Sequence, residues 1–195
     1  MRRLARAAAA LTLAGGSAVA EPGHKGYETV PCRVEAAEGA REVRACAAHV
    51  AAEVRVRGNR GAAVNTGFTL LANYIFGSNA ASEKIAMTVP VVQTPDPEGE
   101  VWRIRFLMPA GAVAAGLPAP RDDRVALAEV PAGRQVVERF SGTPETADLS
   151  ARAESLRAWA ESRGLQIAGG PHYQFYDSPW TPPARRRNEV VFDLR

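Results

Sequence analysis

"VNTGFTLLANYIFGSNAASEKIAMTVPV", Val64 to Val91, carries an apolar helix through a polar turn into an extended run that contains a proline. In its first half Val64, Phe68, Leu71 and Ile75 recur at three- and four-residue steps, the period of one helix face. Ala72 and Phe76 widen that stripe on one side, and Gly67, Leu70 and Tyr74 widen it on the other. At about 100° per residue the apolar arc takes roughly two thirds of the circumference. Only Asn65, Thr66, Thr69 and Asn73 form a polar strip. A helix resting on a sheet needs roughly half that arc, so the excess is to be covered by the chain's own loops, by a partner or by a ligand. Gly77 stands where a helix end favours positive φ, and Ser78-Asn79 continues the turn. Beyond it Ile85, Met87, Val89 and Val91 alternate inward, and Pro90, which donates no ladder hydrogen bond, marks an edge or a bulge.

Working outward, strands are expected near 27–35, 41–47 and 49–57, and the helix near 61–76. Strands follow near 85–93 and 101–108, with "GLPAPRDD" as a loop, then near 124–130 and 133–141. A second helix near 146–163 leads to closing strands near 171–177 and 187–194. In "VWRIRFLM" Trp102, Ile104, Phe106 and Met108 share one face and Arg103 and Arg105 the other; in "NEVVFDLR" Val190, Phe192 and Leu194 fall together. The second helix has a narrow stripe of Leu149, Ala153, Leu156 and Ala160 with charges around it, an ordinary surface helix. Strand–helix–strand–strand occurs twice, from 49 and from 133, similar in layout though not in sequence. The expected fold is α+β in one domain over 21–195, an antiparallel sheet curled into a barrel with two helices outside.

The first twenty residues, "MRRLARAAAALTLAGGSAVA", read as an export signal with a basic head, a short apolar middle and Ala18-Val19-Ala20 as cleavage site. No other segment has the length and hydropathy of a membrane span, so the expectation is a periplasmic protein. Removing Arg2, Arg3 and Arg6 leaves 21 basic and 21 acidic side chains, which gives no bulk attraction for nucleic acid. Two cysteines remain, Cys32 and Cys46. The segment between them reads as a hairpin with a loop at 38–40, Ala37 opposite Arg41 and Cys32 opposite Cys46, within disulfide reach in an oxidising compartment. The alternative is two free thiols, one of them buried.

"GFTLLANYIFGSN", "KIAMTVPV", "VWRIRFLMP", "RFSG" and "YDSPWTPPARRRNEVVF", in that order, with "YETV" and "EVRAC" ahead of them, resemble the SOUL haem-binding family over about residues 27–194. The resemblance implies a distorted antiparallel barrel flanked by two helices, similar to the effector-binding domains of some transcription regulators. It also implies non-covalent binding of haem b or a related tetrapyrrole against the first helix. The family's apolar pocket positions match Phe68, Leu71 and Ala72. Its basic positions match Asn65, Asn73 and Thr181, all neutral here, and the strand position where one branch has a histidine matches Ala45. Cationic substitutes for the propionate clamps are sought among Arg57, Arg60 and Lys84, with Arg60 first. The candidate haem contacts are therefore Asn65, Phe68, Leu71, Ala72, Asn73, Ile75 and Arg60. His49, His172, Met87 and Met108 are the iron-ligand types present, and no axial ligand is assigned among them.

Rival chemistry finds little purchase. Ser141, His172 and Asp177 could be collected into a hydrolase triad, but "RFSG" lacks the strained GxSxG elbow. Three histidines, none at helical pair spacing, give no metal motif. No catalytic constellation emerges, and "ARRRNE" at 184–189 reads as the lead-in to a strand. Two functions stay open: a carrier or binding module for a flat tetrapyrrole, or a protein-interaction module that uses the wide helix face without a cofactor.

Overall fold

The computed structural model describes residues 23–195, so the expected signal segment and its cleavage site lie outside the described residues. Nine strands form one antiparallel sheet: β1 (Cys32–Glu38), β2 (Arg41–Cys46), β3 (His49–Arg57), β4 (Val91–Pro95), β5 (Val101–Leu107), β6 (Ala126–Val130), β7 (Gly133–Phe140), β8 (Ile167–Phe175) and β9 (Asn188–Leu194). Helix α1 (Arg60–Ile75) follows β3, α2 (Ala110–Ala115) follows β5, and α3 (Thr146–Ser162) follows β7. No helix among the described residues is long and apolar enough to cross a membrane.

The sheet order, β1-β2-β7-β9-β8-β4-β5-β3-β6, contains the doubled layout. The units β3–α1–β4–β5 and β7–α3–β8–β9 lie back to back, meeting at β8 and β4, and each arranges its strands alike. The strand ahead of each unit crosses to the other: β2 pairs with β7, and β6 with β3. In a flat sheet β2 and β3 would stand six places, about 29 Å, apart. Two residues between Cys46 and His49 reach only about 11 Å. The same constraint holds between Val130 and Gly133, so the sheet must curl until its ends approach. It does not close: β1 and β6 are both edges, with no ladder between them, which corrects the expected barrel.

The outer, convex face holds the core. Trp102, Ile104 and Phe106 of β5 and Val190 and Phe192 of β9 are buried there under the helices, as their alternation required. Helix α3 buries Leu149, Ala153, Leu156 and Ala160, and is started by a capping box between Glu145 and Asp148. Arg103 and Arg105 therefore face the concave side.

Several local expectations shift. The 27–31 stretch is extended but unpaired in the sheet, because Pro31 offers no N–H and β1 begins after it. Residues 85–90 do not join the sheet; Val89 N–H donates to the Glu28 carbonyl and the Thr88 hydroxyl to that of Leu107. Strand β4 starts after Pro90 and is interior, flanked by β5 and β8, so the proline precedes a central strand and marks no edge. The short α2 was not foreseen. Strand β8 begins at Ile167, not 171, with an irregularity where Gly169 takes φ +77.

Cys32 and Cys46 are bonded as a cross-strand pair, Cα atoms 4.0 Å apart. The register was reached by a compensated route. The turn is tighter than expected, with Glu38 opposite Arg41, and a bulge at Glu35 restores Cys32 to Cys46.

Candidate functional site

Helix α1 is started by Asn59, whose side chain accepts from the Ala62 N–H at 3.0 Å. It ends at Gly77, φ +112, where the Ser78 N–H returns to the Asn73 carbonyl. Asn79 is wholly buried and ties the turn together, donating to the carbonyls of Tyr74 (3.0 Å) and Glu83 (2.7 Å) and accepting from the Glu83 N–H. The buried face is Ala63, Gly67, Leu71, Tyr74 and Ile75. Its centre is set by Gly67, whose missing side chain lets the helix settle onto Ile104 and Val54: a Cβ there would lie 2.6 Å from Ile104 Cγ1.

That seating turns the expected stripe. Phe68 does not face the core but flanks it, 44% exposed, edge-on to Phe106 at 5.2 Å. Phe76 is 65% exposed. With partly buried Val64 and Ala72 they form one i, i+4 ridge of apolar side chains along the helix flank. Among the described residues, no loop covers the two phenyl rings. The ridge runs about 12 Å from Phe68 to Phe76 at 1.5 Å per residue.

The expected contacts divide accordingly. Phe68 and Ala72 are on the ridge, and exposed Asn65 borders it. Leu71 and Ile75 are sealed in the core at 0% and 1% exposure, where they back the surface and reach no guest. Asn73 is on the other flank, lining a shallow pocket of about 330 Å³ with Tyr74 and Arg121. Arg60 is engaged elsewhere: its Nε donates to Gln93 Oε1 at 2.9 Å, a terminal nitrogen to the Pro144 carbonyl at 3.3 Å, and its guanidinium stacks on Phe175. Burial lowers its pKa, only partly offset by Tyr173.

Among the described residues, none of the four candidate iron ligands is on the ridge; Met87 is partly buried against the core. His49 and His172 both line a cleft on the concave face of the sheet, opposite α1. His172 is in β8, within the strand expected near 171–177, with Nε2 2.8 Å from Asp193 and Nδ1 3.1 Å from Thr94 Oγ1. Met108 is in the core. No cluster of three or more metal-ligating side chains occurs among the described residues. Ser141, His172 and Asp177 form no relay, since Asp177 takes His24 and Lys25 instead.

The concave cleft is what sequence reading missed. All nine strands contribute to its wall, and its volume is about 380 Å³. Beside it Glu189, fully buried, accepts from Arg187 Nε at 2.8 Å and Tyr176 Oη at 3.0 Å, and Arg44 stands 3.0 Å away. Burial alone would raise the Glu189 pKa; Arg44 and Arg187 overcome this and hold it below its ordinary value. Burial would likewise lower Arg44, but Glu189, Tyr176 and Glu42 hold it up. Alternation in "NEVVFDLR" already put Glu189 and Asp193 on the face away from Val190 and Phe192. Charges on a strand face read as solvent-facing, and the curl of the sheet encloses them.

The "SOUL heme-binding protein" family description matches residues 27–193. The chain belongs to that family. No curated protein sequence is a significant match. Among solved structures, the C-terminal domain of EcmrR is similar with TM-score 0.63 and 13% identity, over 80% of this chain and 96% of that one. A crystal structure described as a hydrolase from Listeria innocua gives TM-score 0.52 and 13% identity, over 80% and 91% of the two chains. At such identities the likeness is one of fold, shared between this chain and the EcmrR domain.

Proposed function

We propose that this protein binds haem b or another tetrapyrrole non-covalently, with the macrocycle laid against the α1 ridge. The observation that carries the reading is the pair of open phenyl rings, Phe68 and Phe76, on one helix flank of a SOUL-family chain. The ridge suits the flat apolar face of such a ligand; Val64 and Ala72 between the rings keep it level. Asn65 at its border supplies a neutral hydrogen-bonding group where a cationic clamp is expected from the resemblance. When bound, haem would supply a redox-active iron; the residues of the ridge only hold and orient it. The export signal expected over residues 1–20 supports the periplasm as the setting of this activity, as part of the same proposal.

Full burial of a phenylalanine side chain contributes about 1.5–3 kcal/mol. The exposed parts of the two rings together amount to about one such side chain, so their contacts contribute about 1.5–3 kcal/mol, roughly ten- to 140-fold in Kd. Haem titration of the purified protein should give a saturable Soret shift. Phe68→Asp with Phe76→Asp should weaken it at least that much, while Glu154→Asp on the exposed side of α3 leaves it intact. A saturable shift indifferent to both ridge substitutions removes the ridge from the reading. The ridge is a surface strip outside the cavities described above, and this geometry favours a second reading, a docking face for a partner protein. No Soret change at all would favour that one.

A further inference from the structure

The cleft inside the curled sheet has no part in the tetrapyrrole reading, and its chemistry differs from that of the ridge. One wall is apolar, from Val34, Ala51, Val92, Leu107 and Val130. The remainder includes four guanidinium side chains, Arg44, Arg105, Arg139 and Arg187, against two lining carboxylates, Glu42 and Asp193. The carboxylates are already satisfied. Asp193 accepts from His172 and from Gln135 Nε2 at 3.1 Å, and Glu42 is 3.5 Å from Arg44. Behind the wall Glu189 is held by Arg44, Arg187 and Tyr176, with Arg139 Nε 3.6 Å away, and Glu53 takes Arg105 at 2.7 Å.

Donors, by contrast, are left over. Arg44 is only 5% exposed and lines the cleft, yet its Nε–H has no hydrogen-bond partner. Further along the same concave face the Arg103 Nε–H is also buried without a partner, cross-strand from Arg55. Burial lowers the Arg103 pKa, and the neighbouring Arg105 and Arg55 lower it further. A buried N–H without an acceptor is costly, so a small shift of the Arg44 guanidinium toward an acceptor entering the cleft is favoured. A guanidinium fork matches a carboxylate in plane and spacing.

We propose that this cleft is a second binding site, for a small organic carboxylate with an apolar body. Its volume, about 380 Å³, falls within the ordinary range for small-molecule sites. The anionic head meets Arg44 and Arg139, and the body rests on Leu107, Val92 and Val130. Residues Gly23, Thr29 and Val30 of the chain's beginning form part of the wall, held there by Asp177, which takes both His24 and Lys25. A lipophilic cation is disfavoured, since every carboxylate on the wall already has a positive or hydrogen-bonding partner.

Calorimetric titration of the purified protein tests the site with 2-naphthoate, its neutral amide 2-naphthamide and the cation 2-naphthylmethylammonium. The expected result is naphthoate binding at least tenfold tighter than the amide, with the cation no better than the amide. Arg139→Gln, whose side chain is 45% exposed at the rim, should weaken naphthoate at least fivefold without unfolding the protein. Val130→Trp, filling the cleft from an edge strand, should abolish binding. Phe68→Asp should leave it unchanged, which separates this site from the α1 ridge. Equal affinity for acid and amide, preference for the cation, no naphthoate binding, or loss through Phe68→Asp would each overturn the proposal. So would naphthoate affinity unaltered in both Arg139→Gln and Val130→Trp.

Discussion

Gly67→Ala is the most direct test of how α1 is seated, and therefore of why Phe68 is left open. An alanine in mid-helix ordinarily stabilises by about 0.5–1 kcal/mol relative to glycine. Here the new Cβ would stand 2.6 Å from Ile104 Cγ1, 3.0 Å from Ile104 Cβ and 3.1 Å from Val54 Cγ2. Ile104 and Val54 are cross-strand partners, 0% and 1% exposed, so neither has space to retreat. Overpacking of this kind costs about 1–3 kcal/mol. The clash outweighs the propensity, and the variant should lose about 1–2 kcal/mol. For a chain of this size that lowers Tm by about 2–8 °C. Urea unfolding measures the loss, and a cycle with Ile104→Ala should show coupling of at least about 1 kcal/mol, because that change removes the closest atom. A Gly67→Ala protein as stable as the parent, or more so, would refute the seating. The ridge would then have no reason to face solvent.

Replacing both Cys32 and Cys46 by serine opens a link between residues 14 apart and should cost about 3 kcal/mol by loss of chain constraint, read as a lower urea midpoint under oxidising conditions. The parent protein should fall to the same midpoint when reduced. Acid should weaken the fold through Asp177 and Asp193. Burial alone would raise the Asp177 pKa, but hydrogen bonds from Lys25, the Arg187 backbone and His24 hold it below its ordinary value. In Asp193 burial is likewise outweighed, by the hydrogen bond and charge of His172. Groups lowered in the folded state contribute stability that is complete above the unfolded carboxylate pKa, about 3.9, and is lost as pH falls through their folded values. Urea midpoints should thus hold steady near neutrality and drop below about pH 4. Asp177→Asn should be less stable at pH 7 and show a shallower acid decline; an unchanged acid decline would remove Asp177 from the account.

Much of the fold was legible because it follows from local periods. Alternation in β5 and β9, the stripe of α3 and the cap at Gly77 each need only neighbouring residues to be read. Misreadings arose where a distant element intervened. Phe68 sits on the periodic stripe of α1, yet Gly67 meets Ile104 and Val54 so closely that the helix rolls, putting Ala63 and Gly67 inward and Phe68 on the flank. Arg60 looked like a free cation beside the site until Gln93, Pro144 and Phe175, all remote in the chain, converged on it. Pro90, whose missing N–H suggests an edge or a bulge, stands instead just ahead of the interior strand β4.

The sequence by itself determined the antiparallel strands, the doubled strand–helix–strand–strand layout and the family, all of which rest on short-range pattern and motif order. The tertiary structure alone decided that the sheet curls without closing and that its concave face encloses charged residues. Two two-residue links force distant strands together, and that constraint appears only when the pairing order is known. A charged strand face looks the same in sequence whether water or the rest of the sheet lies across from it; the curvature settles which.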